Sequence, residues 1–362
     1  MSDTTAVVLT IGEEYTARAI DSVMRQSVPP EEIIRVENVA PFHKAINLGA
    51  SRVKTEFCVQ VDADMILDDC CFASLRSCME PSVGIVVGHL RDPLVERACG
   101  VKMFRRACFD RVSFKDTISP DTDFSADIQR HDWSTIYALR FGDQADPSLW
   151  HTFGKHEPDY TGSYTFTKHL LQGRRYRYRQ DLEGLRWHMG QLARSRHSVS
   201  LLAEIALAHG FFLEGNQDLL RPDSVSEDSK PLERFLDGGG RCQVQNIESG
   251  RFSSRRPRTV FEEAYKLGNE LRRQGASRTF KSYMDALNRG VLPWAWIAKI
   301  GLCHGLLADD HKRVLFETEY RLLAEQLPRQ GLGGIIGTKR ARVLRPAQRL
   351  AGALLLRRRQ TP

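Results

Sequence analysis

Three short apolar runs punctuate the first 64 residues, and two segments of helical period separate them. The runs are "AVVLTIG", "EEIIRVEN" and "TEFCVQVDAD". Between them, "EEYTARAIDSVMRQS" places Ala17, Ile20, Val23 and Met24 at helical spacing, and "PFHKAINLGASRV" reads as a second helix. Strand, helix, strand, helix, strand predicts right-handed βαβ units and a parallel sheet, the architecture of a nucleotide-binding half-fold. The run Phe57 to Val61 is short, apolar and β-favouring, as in a strand covered on both faces. Beyond it, the alternation of strand side chains sends Asp62 and Asp64 to one side and Ala63 to the other. Two carboxylates on one side, at the end where parallel sheets carry their chemistry, make half of a hard-cation site. The bland alternative is a solvated turn.

At 362 residues the chain accommodates a catalytic domain and a smaller second unit. Its eight cysteines show no CxxC spacing, so buried, reduced thiols are expected rather than a metal or redox site. The polar "MSDTT" start has no secretory or transit character, which predicts a cytoplasmic protein. "VLPWAWIAKIGLCHGLLA" carries Lys299 and His304 and reads as a packed helix rather than a membrane span. The net charge of +7 belongs to the tail. Residues 339–362 hold eight of the 52 Lys and Arg and no Asp or Glu, so the rest is close to neutral. This tail suits either an anionic membrane surface, giving a membrane-peripheral protein, or a solvated terminus. It contains no aromatic residue, and no nucleic-acid partner is expected.

Further along, "DDCCFASLRSCM" reads as a helix, "GIVVGHL" as a strand, and the acidic stretch from Asp116 to Asp127 as a loop opening into a helix. "RRYRYRQ", near 174–180, reads as a basic, aromatic strand. Arg174, Arg175, Arg177 and Arg179 alternate with Tyr176 and Tyr178, which would place the two tyrosines and two arginines on opposite faces, as an anionic acceptor or diphosphate surface or as a charge-protected edge strand. Helical segments follow to 220, and a polar stretch over 221–258 reads as a linker or insertion. Helical period returns over 259–328, and no internal repeat is expected.

The stretches "AVVLTIGEEYTARAIDSVMRQS", "IIRVEN", "KAINLGASRVKTEFCVQVDADMIL" and "FKDTISPDTDFSADIQRHDW" together resemble the family 2 glycosyltransferases of the GT-A fold over about residues 5–190. The most specific element is "DAD" after an apolar strand with "N-x-G-A" upstream. The resemblance implies an α/β fold, a GT-A-type Rossmann-like sheet sandwiched by helices and followed by a mainly helical C-terminal region. The corresponding division is 1–190 catalytic, 191–220 helical extension, 221–258 linker, 259–338 helical and 339–362 tail. It implies a metal-dependent transfer of a sugar from a UDP- or GDP-sugar donor to a glycan or lipid-linked acceptor, with inversion. Mn²⁺ or Mg²⁺ would neutralise the leaving diphosphate as a Lewis acid.

By this resemblance Asp64 binds the metal, and Asp62 contacts the donor ribose or the metal. Thr10, Gly12 and Glu14, at the end of the first strand, and Glu37, at the end of the second, fall in loops that hold the nucleoside, with Glu37 against the base. Asn47 supports the diphosphate or packs its helix. The general base matches Asp121, with Asp123 and Asp127 behind it, at a helix start that favours acids in any case. A third metal ligand is His156 or His188; with His188, the base moves to Glu157 or Asp159. The loop after the second strand is shorter than the family's, and Pro120 stands where it has Glu. Those departures support an alternative, a catalytically silent nucleotide-sugar-binding or scaffold protein. A nucleotidyltransferase would show a Gly-rich basic loop after its first strand, and "TIGEEYTAR" is not one.

Overall fold

The computed structural model describes residues 3–138, 152–213, 232–237, 257–289 and 295–307. Residues 1–310 form one compact unit, and the second unit, 311–362, lies outside the described residues together with the basic tail and most of the polar 221–258 stretch.

The opening pattern folds as its periodicity dictates. Strand β1 (Thr4–Thr10) is buried along its whole length, α1 (Thr16–Met24) follows, then β2 (Glu32–Glu37), α2 (Phe42–Arg52) and β3 (Phe57–Asp62). β1 pairs in parallel with β2 on one side and β3 on the other, which aligns Thr10 with Glu37 and Leu9 with Asp62. All three strands therefore end on one edge. Core residues fall into two layers, Ala6, Val8, Val59 and Val61 on one face of the sheet and Val7, Leu9, Ile46 and Cys58 on the other. A sheet covered on both faces needs continuous apolar strands, as "AVVLT" and "FCVQV" are.

The sheet continues antiparallel through β5 (Val83–Asp92) and β6 (Glu96–Arg105), with β3 against β6 and β6 against β5. Short strands β4 (Met65–Leu67), β7 (Ser134–Tyr137) and β8 (Gly154–His156) complete it in the order β2-β1-β3-β6-β5-β8-β4, with β7 beside β5. Helix α3 (Cys71–Arg76) covers β5, and α4 (Pro120–Gln129) opens with Asp121 and Asp123 in its first turn. The expected mixed α/β class, a helix-flanked sheet followed by helices, is what the chain adopts.

One expected element has the wrong type. "RRYRYRQ" is not a strand: Arg174 to Tyr178 close the helix α5 (Gly162–Tyr178), and Arg179 caps it. The Thr161 hydroxyl accepts from Tyr164 N at 3.2 Å and starts the helix, and Phe166, Leu170 and Gly173 then form a buried stripe at helical spacing. Packing of that stripe overrides the local alternation of Arg and Tyr.

The expectation of no internal repeat is also corrected. Helices α5, α6 (Leu182–Arg194) and α7 (Ser200–Phe212) are followed by α8 (Pro257–Arg273), α9 (Ser277–Arg289) and α10 (Ala295–Leu307). Both boundaries of each later helix lie 95 residues beyond its counterpart, as 162 and 257, 182 and 277, and 200 and 295 show. The packing repeats as well. A Cβ on Gly173 would lie 2.2 Å from Leu207 O and one on Gly268 2.3 Å from Leu302 O; one on Gly210 would meet Leu170 O at 2.1 Å and one on Gly305 Tyr265 O at 2.3 Å. In both copies only glycine lets the first and third helices approach so closely. Eleven of the 43 paired helical positions are identical, among them Phe166/Phe261, Met189/Met284, Leu207/Leu302 and His209-Gly210/His304-Gly305, but they are scattered, so the repeat is faint in sequence.

The copies join along α7 and α10. Glu204 Oε2 meets Lys299 Nζ at 2.7 Å, and His209 Nδ1 meets His304 Nδ1 at 3.1 Å. Each residue touches its own counterpart, so the two helices run side by side about a local two-fold axis. The ion pair is 2% and 6% exposed, and α10 is the apolar stretch expected to be a packed helix. Among the described residues no helix is long and apolar enough to cross a membrane. Replacing Lys299 alone strands a buried carboxylate, so Lys299→Met is expected to cost about 3–5 kcal/mol in chemical denaturation, whereas Glu204→Met with Lys299→Met recovers most of it.

Candidate active site

Two groups of side chains gather where β3 ends. The first is built on strand pairing. β8 lies antiparallel to β4 with His156 opposite Met65, and Glu157 N donates to Asp64 O at 2.8 Å. This register sets the His156 ring against the Asp64 side chain, with Nε2 2.9 Å from Oδ2. The other ring nitrogen, Nδ1, lies 2.6 Å from Asp92 Oδ2 at the end of β5. Asp92 is 5% exposed and fully engaged: Oδ2 also accepts from the Tyr160 hydroxyl at 2.6 Å, and Oδ1 from Leu94 N and Val95 N at 2.7 and 3.0 Å. Lys168 of α5 places Nζ 5.3 Å from the Tyr160 ring centre and 5.4 Å from that of Tyr164.

Charge state follows from these contacts. Burial alone would raise the Asp64 and Asp92 carboxyls, but hydrogen bonds from His156, and from Tyr160 in the case of Asp92, hold both below the usual range. Burial would lower His156, and the two carboxylates outweigh it and raise it. Lys168 is lowered by burial against the pull of Asp92 and Asp64.

The second group surrounds Asp62. Its Oδ1 accepts from Gln60 Nε2 at 2.9 Å, and burial and the nearby Asp64 charge push it up to about 6. Lys102 of β6 opposes that rise and pairs with Asp121 Oδ1 at 3.3 Å. Burial would lower Lys102, but Asp121 and Asp62 together raise it. One buried ammonium thus links the strand-end acid to the acid that opens α4. Asp123 accepts from the Tyr178 hydroxyl at 3.4 Å, and Asp127 is committed to Lys115 and Arg130.

The remaining sequence candidates fall elsewhere. Thr10 braces its own loop, bonding to Glu13 Oε2 at 2.7 Å and Thr16 Oγ1 at 2.8 Å. Gly12 and Glu14 line a surface cleft of about 400 Å³ with Thr16, Ile20 and Arg35, and Arg35 pairs with the exposed Glu37. Neither Asp62 nor Asp64 lines that cleft. Asn47 clamps the main chain of Phe114, donating to its O at 2.8 Å and accepting from its N at 3.0 Å. Asp159 is exposed beside Tyr160. His188 sits in α6, its Nδ1 3.1 Å from the Tyr176 hydroxyl and its ring edge-on to His169 at 5.5 Å; burial pushes it down to about 3. Of the two histidines, the structure brings His156 to Asp64 and holds His188 against α5.

Among the described residues no three His, Cys, Asp or Glu side chains converge on one point. Asp64 and His156 do, and Asp64 Oδ1 is buried with no hydrogen-bond partner. A carboxylate and an imidazole with an open acceptor position fit a cation such as Mn²⁺ or Mg²⁺ whose other ligands are diphosphate oxygens and water. Among the described residues, Cys58, Cys78, Cys99, Cys108 and Cys303 are free thiols.

No protein-family model matches the chain, and no curated protein matches it in sequence. Among solved structures, it is similar to the mannosyltransferase PcManGT from Pyrobaculum calidifontis in complex with GDP-Man and Mn²⁺, at 13% identity and a TM-score of 0.38, over 89% of this chain and 85% of that one. It is also similar to residues 1–349 of S. aureus TarS in complex with UDP-GlcNAc, at 11% identity and a TM-score of 0.32, over 89% and 92% of the two chains.

The raised His156 implies a pH dependence. A base whose folded value lies above its ordinary 6.5 contributes stability that is complete below 6.5 and is lost as pH climbs through the folded value. In chelator, thermal unfolding is expected at progressively lower temperature from pH 6.5 to 9, and His156→Gln flattens that slope.

Proposed function

We propose that this chain is a glycosyltransferase that moves a sugar from a nucleoside-diphosphate donor to an acceptor hydroxyl with the help of a divalent cation. The observation that carries the reading is the Asp64–His156–Asp92 cluster at the edge where β1 and β3 end, with Asp62, Lys102 and Asp121 beside it. The residue order agrees with the resemblance found in the sequence.

Asp64 and His156 would hold the cation, and Asp62 would contact the donor ribose or the cation. When bound, the cation supplies Lewis-acid neutralisation of the departing diphosphate. Asp92 accepts the Nδ1 proton of His156 and directs Nε2 toward Asp64, an arrangement by which second partners orient metal-binding imidazoles. Lys168 adds a positive charge beside the same carboxylates. Asp121 removes the proton of the attacking hydroxyl as the new C–O bond forms, and the bond from the sugar to the diphosphate breaks with its electron pair on the leaving oxygen. Lys102 holds Asp121 in place at 3.3 Å. Glu37, Gly12 and Glu14 are assigned to the nucleoside side.

Release of nucleoside diphosphate from a panel of UDP- and GDP-sugars, with Mn²⁺ and with chelator, tests this reading. Chelator and Asp64→Ala are each expected to reduce release at least 100-fold, equivalent to several kcal/mol of lost charge stabilisation. Asp121→Asn is expected to reduce acceptor-dependent turnover about 10²–10⁴-fold with UDP affinity within twofold of wild type. Full activity in Asp64→Ala rejects the site, and the absence of turnover with every donor favours the scaffold reading.

A further inference from the structure

Because Arg174 to Tyr178 are helical and Arg179 caps the helix, the basic residues group by helical face rather than by strand alternation. On α5, Lys168, Arg175 and Arg179 are separated by seven and four positions, which puts them within about 40° of arc on one helical face and spreads them over about 16 Å. Lys168 lies at the Asp64 and Asp92 end. Arg175 and Arg179 lie at the other end, against the loop and first turn of α4: Arg175 Nε donates to Ile118 O at 3.1 Å, and Arg179 Nη1 to Thr122 Oγ1 at 3.5 Å. Thr122 is the neighbour of Asp121, and the Asp121 charge acts directly on Arg175.

The charges here do not balance internally. Asp121 is already paired with Lys102, and Asp123 takes its bond from Tyr178. Neither Arg175 nor Arg179 forms an ion pair with a carboxylate of the described residues, although both are only half-exposed. Arg179 lies over the Tyr176 ring at 5.1 Å and donates from Nε to Arg175 O at 3.2 Å, which fixes its plane, while Nη2 has no hydrogen-bond partner among the described residues. Tyr137, 57% exposed, is within electrostatic reach of Asp121, Lys102 and Arg179, and its ring stacks on His89 at 5.8 Å. Two partly desolvated guanidinium groups beside an acid that already has its own cation are a site for an oxyanion, because a planar fork of donors matches phosphate and carboxylate.

We propose that the acceptor of this enzyme is itself anionic, carrying a phosphodiester or a carboxylate close to the hydroxyl that is glycosylated, and that Arg175 and Arg179 bind that group beside Asp121. The inference rests on the glycosyltransferase reading and adds the acceptor class to it. In this arrangement the face of α5 divides its work: Lys168 serves the donor side, and the two arginines serve the acceptor side.

The test is calorimetric titration of the full-length chain at low salt with glycerol 3-phosphate and with glucuronate, against neutral glycerol and glucose, and separately with UDP and GDP plus Mn²⁺. At least one anionic probe is expected to bind while its neutral counterpart does not, and the better probe tells a phosphate acceptor from a carboxylate one. Arg179→Gln is expected to weaken that probe at least tenfold, Arg179→Lys to retain part of the affinity, and both to leave UDP binding within twofold. Because Arg175 is more enclosed, Arg175→Gln is read only with an unchanged circular dichroism spectrum. Equal binding of neutral and anionic probes, or unchanged binding in Arg179→Gln, overturns the proposal. So does an equal loss of UDP affinity, which would assign the pair to the donor. Selective anion binding that depends on Arg179, with no affinity for UDP or GDP, supports the oxyanion site and counts against sugar transfer instead.

Discussion

The imidazole of His156 between two carboxylates is the contact on which the strand-end edge of the sheet depends. It ties the turn after β3 to the end of β5 through one ring, with 2.9 Å on one side and 2.6 Å on the other. Neither carboxylate would be tolerable alone in that environment, since an isolated buried charge is strongly unfavourable. Asp92 stabilises the ring, the ring stabilises Asp64, and the β4–β8 and β5–β8 pairings hold all three in register.

A similar economy governs the second group. Lys102 stands between Asp62 and Asp121, so a strand-end acid and a helix-opening acid share one ammonium. Proton affinities within this small region are driven apart: Asp62 rises to about 6 while Asp64, in contact with an imidazole, falls. Such divergence between neighbouring carboxyls is how a site assigns different tasks to chemically identical groups.

Much of this was legible in the residues. The apolar runs at 6–12, 31–38 and 55–64 specified the parallel strands, but the strand alternation expected past Val61 does not continue, because β3 ends at Asp62 and the chain turns at Ala63 and Asp64. What was not legible depended on contacts distant in the chain. Asp92 is one more acid in "GHLRDP" until β5 and β8 come together, and Lys102 is one more lysine until β6 lies beside β3. His156 and His188 were indistinguishable by spacing, and the β4–β8 register separates them. Asn47, read as support for the diphosphate or as helix packing, bonds the main chain of Phe114. The strand expected at 174–180 failed because an Arg/Tyr alternation has period two locally, whereas the buried stripe that decides the outcome, Phe166 to Gly173, lies upstream and has the helical period.

The doubled three-helix unit has one more implication, which concerns what the halves refuse to do. At a self-paired position, two copies of the first half would set Glu204 against another Glu204, and two copies of the second would set Lys299 against another Lys299, in a place that is 2–6% exposed. Divergence at this single pair makes each half an unsuitable mate for its own kind and a suitable one for the other. An ancestral symmetric association, once fused into one chain, would be made permanent by such a step. The surface that formerly joined two molecules would then be spent inside one, leaving the polypeptide no route to reassemble through like halves.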